Sequence, residues 1–458
     1  MEIDDLQRRS AEPRGTLLVV SYHAPPGRKI GGLRWWGLSR HLAGRGWRVH
    51  LLTAQPGADS QPVPAGMSVE VVPPDTTLDD RYRAWRLSGT SRKAENRGSR
   101  GVSSSSAGSS ADRSDASAKT RILEVLSRAK SEAGGLLSFP DTGRGWIRPL
   151  ARALSRVGRS LQPDVVISSG PPHSVHLGAA WGIRDLPCRW IADFRDPWAA
   201  EARAHLDVCW TRLPLARLES AVLRRAHTVL TTTPELAREL RWEHPYARVT
   251  CLFNGVDVET LIPRSRRSDL GFRVAHIGTI YHRRDPIPAV RAFALFLERC
   301  PEARAGGAIL QFVGKMLGGH QSRILTVSRE LGIEDLVEVP GPCPREQALQ
   351  VLARTGVSLV FAQEQRSAVP AKIYEAVGMG IPTLVITEPD SASAAAANRL
   401  NARVREPDDI DGMARAFEEA WTGQWTGSAP EGALLDYSDL AVDLERRVLI
   451  SRSVVGPA

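Results

Sequence analysis

The 458-residue chain lacks the features that mark a membrane-spanning, secreted or disulfide-bonded protein. No apolar run approaches the roughly 18 residues that a bilayer-spanning helix needs. The opening residues, MEIDDLQRRS, contain no hydrophobic core of a signal peptide. The five cysteines form no C-x-x-C pair, which argues against a zinc site and against a disulfide framework. These absences predict a cytoplasmic protein with reduced thiols.

Positive charge is plentiful, but it lacks the arrangement typical of nucleic-acid-binding proteins. The formal net charge is +9, and most of the basic residues are arginine. There is no long Lys/Arg block and no interleaving of aromatic and basic residues. We therefore expect no nucleic-acid partner, and phosphorylated substrates or an anionic membrane surface are the basic chain's candidate partners.

Length and hydrophobic patterning predict two α/β domains. A chain of this length with 42% hydrophobic residues exceeds one ordinary core. Thr16–Tyr22 and Phe272–Ile277 both read as buried strands that open a strand–loop–helix unit of a parallel sheet. The polar stretch Pro263–Asp269 is the predicted linker. Leu87–Thr120, rich in Ser, Gly, Ala and Arg, is expected to be a disordered insertion in the first domain.

In the first half, glycines and histidines follow predicted strands. Ligands of parallel α/β sheets bind beyond the carboxyl ends of the strands. Gly31 and Gly32 follow the first strand, where a backbone can approach a substrate closely, although from the glycines alone an ordinary flexible turn is the better explanation. His173 and His176 follow the predicted strand Asp164–Ser169. A histidine in this position can hydrogen-bond a hydroxyl and titrates near neutrality, so His173 is a candidate functional residue and His176 a weaker one.

A second polar cluster in the first half is the segment DFRDPW. Asp193, Arg195 and Asp196 follow the predicted strand Arg189–Ala192, and a stiff Pro-Trp pair comes next. Two carboxylates and a guanidinium at a strand end suit a substrate site. An internal salt bridge between Asp193 and Arg195 that holds loops together is the competing interpretation.

The second half places cations after its first predicted strand. Gly278 and Thr279 end this strand, and Arg283 and Arg284 lie in the loop that follows. Guanidinium groups match phosphate oxygens well. These residues therefore predict a phosphate site, and two solvated arginines are the alternative.

The segment Val369–Pro382, VPAKIYEAVGMGIP, predicts a short helix with functional groups on one face. Pro370 suits the first helical position. Lys372 and Glu375 then share a face at i, i+3, with Lys372 near the helix start, where anions are favoured. The pair suits the diphosphate and the ribose of a nucleotide. An exposed ion pair on an amphipathic helix is about equally compatible with these residues.

Five segments together resemble bacterial family 4 glycosyltransferases. They are ISSGPPHS (167–174), DFRDPW (193–198), FNGVD (253–257), GTIYHRRDP (278–286) and the segment 369–382. The resemblance implies the GT-B fold, in which two Rossmann-like parallel-sheet domains face a central cleft. It also implies that a C-terminal helix crosses back to the first domain.

The resemblance assigns a role to each part of the chain. Residues 1–262 would form the acceptor-binding domain, and residues 271–430 would form the nucleotide-sugar-binding domain. Residues 431–458 would return to the first domain, through a helix whose predicted N-cap is Ser438.

By the same resemblance, the protein transfers a sugar from a nucleoside-diphosphate sugar to a hydroxyl acceptor, a class that includes glycans, small molecules and lipid-linked acceptors. The expected reaction retains the anomeric configuration and needs no metal and no cofactor besides the donor. Asp193 and Asp196 are not spaced as a metal-binding D-x-D pair, and we expect no such pair elsewhere in the chain, which disfavours the metal-dependent GT-A class. The expected catalytic residues are His173, Asp193, Arg284 and Lys372; the donor-binding residues Gly278, Thr279, Arg283, Arg284, Lys372 and Glu375; the acceptor-binding residues Gly31, Gly32, His173, His176, Arg195 and Asp196.

The chain departs from the family pattern at one position. Many members have a glutamate eight residues before the position of Glu375, and here that residue is Ser367. Two alternatives stay open: a nucleotide-sugar epimerase on the same fold, and a non-catalytic subunit that binds the donor, for which this departure is the best support.

A basic amphipathic stretch raises the question of membrane contact. Within Arg121–Leu161, arginines alternate with Trp and Leu at helical spacing. Such a helix can lie on anionic lipid at the inner membrane face. Packing on the sheet as an ordinary surface helix is the slightly favoured alternative.

Overall fold

The computed structural model describes residues 14–24, 30–54, 62–81, 139–199, 209–265 and 271–450. The predicted insertion Leu87–Thr120 and part of the predicted linker lie outside these residues.

Thirteen strands are found in the described residues. They are β1 Gly15–Ser21, β2 Trp47–Thr53, β3 Met67–Val71, β4 Val165–Gly170, β5 Arg189–Phe194, β6 Thr228–Thr231, β7 Val249–Cys251, β8 Arg273–Ile277, β9 Ile309–Val313, β10 Val337–Gly341, β11 Val357–Phe361, β12 Thr383–Ile386 and β13 Arg403–Arg405.

The α-helices of the described residues lie between the strands or after them. They are α1 Leu33–Gly44, α2 Ile147–Leu161, α3 Ser174–Gly182, α4 Cys209–Arg225, α5 Pro234–Glu243, α6 Ile287–Arg299, α7 Pro301–Ala305, α8 His320–Glu330, α9 Arg345–Ala353, α10 Lys372–Gly378, α11 Ala392–Arg399, α12 Ile410–Trp421 and α13 Tyr437–Leu444.

The strands form two parallel sheets, one in each half of the chain. The first has seven strands in the order β3-β2-β1-β4-β5-β6-β7, and the second has six in the order β10-β9-β8-β11-β12-β13. The central strands β1 and β4 are almost entirely buried, as continuous apolar runs require when helices cover both faces of a sheet. The predicted pair of parallel-sheet domains is confirmed.

The C-terminal helix α13 packs on the first domain. Its Leu440 and Leu444 are buried in the same cluster as Leu38 and Leu42 of α1. Just after α13, the buried carboxylate of Glu445 accepts a hydrogen bond from Trp47 Nε1 at 2.8 Å and pairs with two arginines of the first domain. The predicted return of the chain to its first domain is therefore present.

Two local predictions of helix starts are wrong. Helix α10 begins at Lys372, and Pro370 lies before its cap, because the Pro370 carbonyl already accepts the Ile373 N–H in a preceding turn. Helix α13 is capped by Asp436 and not by Ser438. The Asp436 carboxylate accepts the Ser438 N–H at 2.7 Å, and a charged acceptor makes the stronger hydrogen bond.

Of the basic amphipathic stretch, the structure describes residues 139–161, which include α2, and the apolar side of this helix is used within the protein. Leu150 and Leu154 are fully buried. Trp146, just before the helix, is 1% exposed and donates to the Val72 carbonyl at 2.7 Å. The helix therefore packs as a surface helix of the domain. In the part of the chain that the structure describes, no helix is long and apolar enough to cross a bilayer.

Candidate functional site

Each sheet has one point where the winding of the chain reverses. In the first sheet it lies between β1 and β4, and in the second between β8 and β11. Loops that leave neighbouring strands at such a point separate and open a crevice at the carboxyl edge, which is where open α/β sheets bind ligands. The sequence-predicted residues follow these strands and the neighbouring β5. The topology therefore gathers them into one candidate site in each domain.

In the second domain, Gly278 and Lys372 are packed against each other. Gly278 follows β8 with φ of +128°, and a Cβ atom added there would lie 2.0 Å from Lys372 Nζ. The lysine lies at the start of α10, which follows β11. Residue 278 must therefore be glycine for two reasons: its φ is positive, and the Lys372 side chain occupies the space that a Cβ would fill. The structure brings these two predicted donor residues together.

The Lys372 ammonium sits in a cationic environment. Burial, aided by the positive charge of Arg284, lowers the pKa of Lys372 to about 8, although the Glu375 carboxylate acts in the opposite direction. Nearby, the buried His276 in β8 has its pKa lowered by burial and by the charge of Lys372, so its imidazole is neutral. An anion bound here would relieve the repulsion between Lys372 and Arg284.

The two predicted arginines differ in their surroundings. Arg284 is 7% exposed; its Nη2 donates to Gln365 Oε1 at 2.7 Å, and its guanidinium carbon lies 4.9 Å from the centre of the Tyr281 ring. Arg283 is exposed and pairs with Glu364 at 3.1 Å. Arg284 is therefore held beside Lys372, whereas Arg283 lies at the rim. Thr279 directly follows Gly278 in the sequence and is partly exposed.

Glu375 has a partner that the sequence did not suggest. One of its oxygens accepts a hydrogen bond from Arg345 Nη2 at 2.6 Å, and the pair is largely buried. The carboxylate is thus already held by α9, one end of which approaches the site. The predicted contact of Glu375 with a ribose stays a prediction. The carboxylate oxygen that does not bind Arg345 would make that contact.

In the first domain, the two predicted histidines are buried and neutral. Burial and the charge of Arg195 lower the pKa of His173 to about 3. His173 stacks on Trp198 with 5.3 Å between ring centres, and His176 stacks on Phe194 at 4.6 Å. His176 also hydrogen-bonds Ser168 at 2.8 Å. Only His173, at 4% exposed, reaches the surface at all, which fits the weaker prediction for His176.

Asp193 lies inside the domain, as the last residue but one of β5. It has no exposed surface, and its Oδ2 accepts hydrogen bonds from Trp35 Nε1 at 2.6 Å and Ser169 Oγ at 2.8 Å. Its ion-pair partner is Arg34, at 3.7 Å, and not Arg195 as the competing interpretation of the sequence had it. Asp193 therefore frames the site in this conformation, and its catalytic role stays a prediction.

Arg195 ties together the loops at the reversal point of the first sheet. Its guanidinium donates to the carbonyl of Gly31 at 2.5 Å and that of Pro171 at 2.9 Å, and its Nε donates to the Gly170 carbonyl at 2.9 Å. The glycine loop is therefore fixed by its backbone oxygen. Gly32 is needed for close approach, since a Cβ there would lie 2.5 Å from a backbone oxygen, that of His23.

Asp196 follows directly and is partly exposed. The same segment contacts the residues just before α5, because the Thr232 hydroxyl donates to the Arg195 carbonyl at 2.8 Å. Of the predicted acceptor residues, Asp196 is thus among the few with side-chain surface to offer a ligand.

The two domains touch at Ser367. Thr233, the N-cap of α5, donates its hydroxyl to the Ser367 carbonyl at 2.7 Å, and the Ser367 hydroxyl donates to Glu239 of the same helix. Because α5 follows β6 and Ser367 follows β11, the carboxyl edges of the two sheets face each other.

The expectation that the chain has no D-x-D sequence is wrong, because Asp409-Ile410-Asp411 is one. It is used within the protein, since Asp409 caps α12 by accepting the Gly412 N–H at 2.8 Å and Asp411 pairs with arginines. Glu219, Glu243 and His244 have ligand atoms within 4.8 Å of one another on α4 and α5. Neither group lies at a reversal point of a sheet, so neither belongs to the candidate site.

Several residues that shape the site were not predicted from the sequence: Arg34, Trp35, Glu239, Arg345 and Gln365. The sequence does contain a signal for Arg34, because its i, i+4 spacing from Leu38 puts it on the apolar face of α1. In the structure Arg34 is 2% exposed. Its guanidinium donates to the carbonyls of Phe253 and Leu252 at 2.6 and 2.8 Å. The others contact residues far away in sequence, and no local pattern marks them.

Part of the chain is similar to a known protein family. The sequence profile of Glycosyltransferase Family 4 matches residues 118–260, which belong to the first domain. The chain is also similar to D-inositol 3-phosphate glycosyltransferases. It is 28% identical to that of Nocardiopsis dassonvillei over 239 residues, which are 48% of this chain and 55% of the relative. It is 32% identical to that of Kribbella flavida over 146 residues, 29% of this chain and 34% of the relative. The chain thus spans about half the length, or less, of these curated relatives.

Solved structures share the whole two-domain fold. Sucrose-phosphate synthase from Thermosynechococcus elongatus superposes with a TM-score of 0.60 at 13% identity, covering 94% of this chain and 98% of that one. Anabaena Alr3699/HepE in complex with UDP-glucose superposes with a TM-score of 0.59 at 13% identity, covering 94% and 99%. At this identity the likeness establishes the fold alone. The two comparisons agree: the fold of this chain is GT-B, and residues 118–260 are similar to family 4 glycosyltransferases.

Proposed function

We propose that this protein is a glycosyltransferase that moves a sugar from a nucleoside-diphosphate donor to a hydroxyl acceptor. The observation that carries the proposal is the pairing of Lys372 and Arg284 at the reversal point of the second sheet. Burial and the positive charge of Arg284 disfavour the charged form of Lys372, and a bound anion would favour it. A diphosphate supplies that charge and is the leaving group that such a transfer requires.

The chemistry assigned to the chain is electrostatic. The bond between the sugar's anomeric carbon and the diphosphate oxygen breaks, and its electron pair leaves with the diphosphate. Lys372 and Arg284 stabilise the charge that develops on that oxygen. The acceptor hydroxyl then bonds to the anomeric carbon and loses its proton, for which the departing diphosphate is an available base.

We propose that the sugar keeps its anomeric configuration and that no metal takes part. Two side-chain cations at the diphosphate do the work that a divalent ion does in metal-dependent transferases. The same-face attack of the acceptor is then assisted by the leaving diphosphate, and no carboxylate nucleophile is required.

The acceptor is assigned to the first domain, beside His173 and the Gly31-Gly32 loop. With its pKa lowered to about 3, His173 is neutral at physiological pH and can exchange hydrogen bonds with a hydroxyl. Thr233 and Glu239 already join the domains at Ser367, and closure there would exclude water from the reacting atoms.

A uridine nucleotide is the first donor to test, because the structural neighbour Alr3699/HepE binds UDP and UDP-glucose. We also propose a cytoplasmic location, with the exposed arginines of α2 facing anionic lipid where the acceptor is lipid-linked. Arg148, Arg152 and Arg159 are exposed on one side of this helix. Any such contact is electrostatic and reversed by salt, since the apolar side of α2 is buried.

The proposal is tested by thermal unfolding in the presence of UDP-glucose, GDP-mannose, dTDP-glucose and ADP-glucose, followed by hydrolysis and transfer assays with the one that binds. At a ligand concentration about 100 times the dissociation constant, binding adds about 2.7 kcal/mol to stability, which is an easily measured rise in melting temperature. Failure of all four to bind contradicts the proposal. Conversion of the sugar nucleotide without an acceptor would favour the epimerase alternative, and binding without turnover the non-catalytic subunit.

A further inference from the structure

Glu239 is a carboxylate of the first domain that lies against the donor side of the second. It projects from α5 and accepts a hydrogen bond from the hydroxyl of Ser367. Thr233, at the start of the same helix, holds the Ser367 carbonyl at 2.7 Å. The position of Glu239 relative to the second domain is thus fixed by two hydrogen bonds to one residue.

The Glu239 side chain has capacity left to bind a ligand. The residue is exposed, and Ser367 engages only one of its carboxylate oxygens, Oε1. Its Oε2 makes no hydrogen bond to any residue that the structure describes. An ionised carboxylate can accept several hydrogen bonds, so this oxygen is available to a hydroxyl group.

Ser367 belongs to the segment that connects β11 to Lys372. Two residues earlier, Gln365 accepts a hydrogen bond from Arg284, so this segment borders both cations of the diphosphate site. A sugar attached to a diphosphate there must extend toward the first domain, because the acceptor has to reach its anomeric carbon. Glu239 lies on that boundary.

We propose that Glu239 binds a hydroxyl of the donor's sugar, from the domain opposite the one that binds the diphosphate. The inference rests on the proposed function. It places a carboxylate beside residue 367, which is a serine where the resemblance leads one to expect a glutamate. A charge-assisted hydrogen bond from a sugar hydroxyl to this carboxylate would select for the sugar and hold the domains together while it is bound.

The competing explanation is that Glu239 only joins the domains through Ser367. Glu239→Ala and Ser367→Ala remove the same interdomain hydrogen bond, but only the first removes the carboxylate. The experiment is therefore isothermal titration of both variants and the wild type with two ligands. These are the sugar nucleotide that gives the largest melting shift among the four named above, and the matching free nucleoside diphosphate.

For Glu239→Ala we expect about a tenfold loss of affinity for the sugar nucleotide, which corresponds to about 1.4 kcal/mol. Affinity for the free diphosphate should stay within about twofold, because that ligand has no sugar hydroxyl. Ser367→Ala should lose clearly less affinity for the sugar nucleotide, since it keeps the carboxylate. Glu235→Ala, which removes a carboxylate one turn earlier on α5, is the matched control and should bind both ligands as the wild type does.

Equal losses for both ligands in Glu239→Ala, or equal losses in Glu239→Ala and Ser367→Ala, would overturn the inference and leave the proposed function intact. If Glu239→Ala does not fold, Glu239→Gln replaces it, because the amide oxygen can still accept the Ser367 hydrogen bond while the charge is gone. A wild type that binds neither ligand contradicts the proposed function itself. A double variant, Glu239→Ala with Ser367→Glu, should regain sugar-nucleotide affinity by carrying the carboxylate on the other domain.

Discussion

The two reversal points of this molecule have opposite electrostatic designs. At the first, Asp193 is buried between Arg34, Trp35 and Ser169, and the arginine opposite it donates to backbone carbonyls. At the second, burial and the nearby charge of Arg284 lower the pKa of Lys372. The first site pairs a buried carboxylate with a guanidinium, whereas the second places a lysine close to an arginine.

This difference determines how the charged groups of each domain affect its stability. The hydrogen bonds to Asp193 Oδ2 hold the surrounding side chains in one arrangement, because a buried carboxylate that loses a partner is strongly disfavoured. A lysine whose pKa is lowered by burial and by a nearby cation costs stability in the free protein, and a bound anion offsets that cost. The proposed function predicts this difference, with one domain that positions an acceptor and another that binds a charged donor.

Removing the lysine should have the largest effect on the second site. We expect Lys372→Ala to weaken binding of the nucleoside diphosphate by about 100-fold, since hydrogen bonds to charged groups contribute about 1.5–3 kcal/mol. Lys315→Ala is the matched control, because Lys315 is exposed at the end of the adjacent strand β9. Isothermal titration of both variants decides the matter, and equal affinities would remove Lys372 from the donor site.

Filling the space under the lysine should act on the same site indirectly. Gly278→Ala places a Cβ 2.0 Å from Lys372 Nζ at φ of +128°, so the ammonium must move. We expect about a 30-fold loss of diphosphate affinity, together with a loss of about 1–3 kcal/mol in stability from the backbone strain.

Gly307→Ala separates the two causes, since Gly307 has φ of +71° with no atom within 4 Å of the added Cβ. It should lose stability and keep its affinity. If Gly278→Ala also keeps its affinity, Lys372 is not placed by this contact.

The buried histidines should make the first domain sensitive to acid. With a folded pKa of about 3 against about 6.5 unfolded, His173 binds protons only in the unfolded state over the range between them, so stability falls as the pH falls through it. At pH 5 this one residue should cost about 2 kcal/mol. Urea unfolding of wild type and His173→Gln at pH 7.5 and pH 5 measures it. The variant should lose less stability on acidification, and equal losses would show that the imidazole is accessible to protons in the folded state.

The smallest predicted effect is the change of diphosphate affinity with pH. Because the pKa of Lys372 is lowered to about 8, raising the pH from 7 to 9 neutralises the free site's lysine, and the affinity should fall by up to about tenfold. Binding should take up protons at pH 8, which titration in two buffers of different ionisation enthalpy detects. Lys372→Arg, permanently charged, should abolish this dependence. An unchanged profile in that variant would assign the pH effect to another group.

Local patterns predicted most of the framework. The continuous apolar runs of β1, β4 and β8 identified buried strands, and the loops after them contained Gly31, His173 and Arg284, all of which lie at carboxyl edges. The errors were local as well. Pro370 and Ser438 were read as helix-start residues because their types suit that role, but a turn formed at the first and a stronger neighbouring acceptor displaced the second.

The sequence alone determined the two parallel sheets and the residues at their edges, because burial on both faces requires apolar runs and the loops that follow such strands carry the polar groups. Only the tertiary structure decided which of those polar groups are compensated. Whether Asp193 meets Arg34 or Arg195, whether Glu375 is held by Arg345, and whether Glu239 reaches Ser367 all depend on contacts between residues far apart in the chain. Such partners are chosen by the packing of whole elements, and no spacing within one segment encodes them.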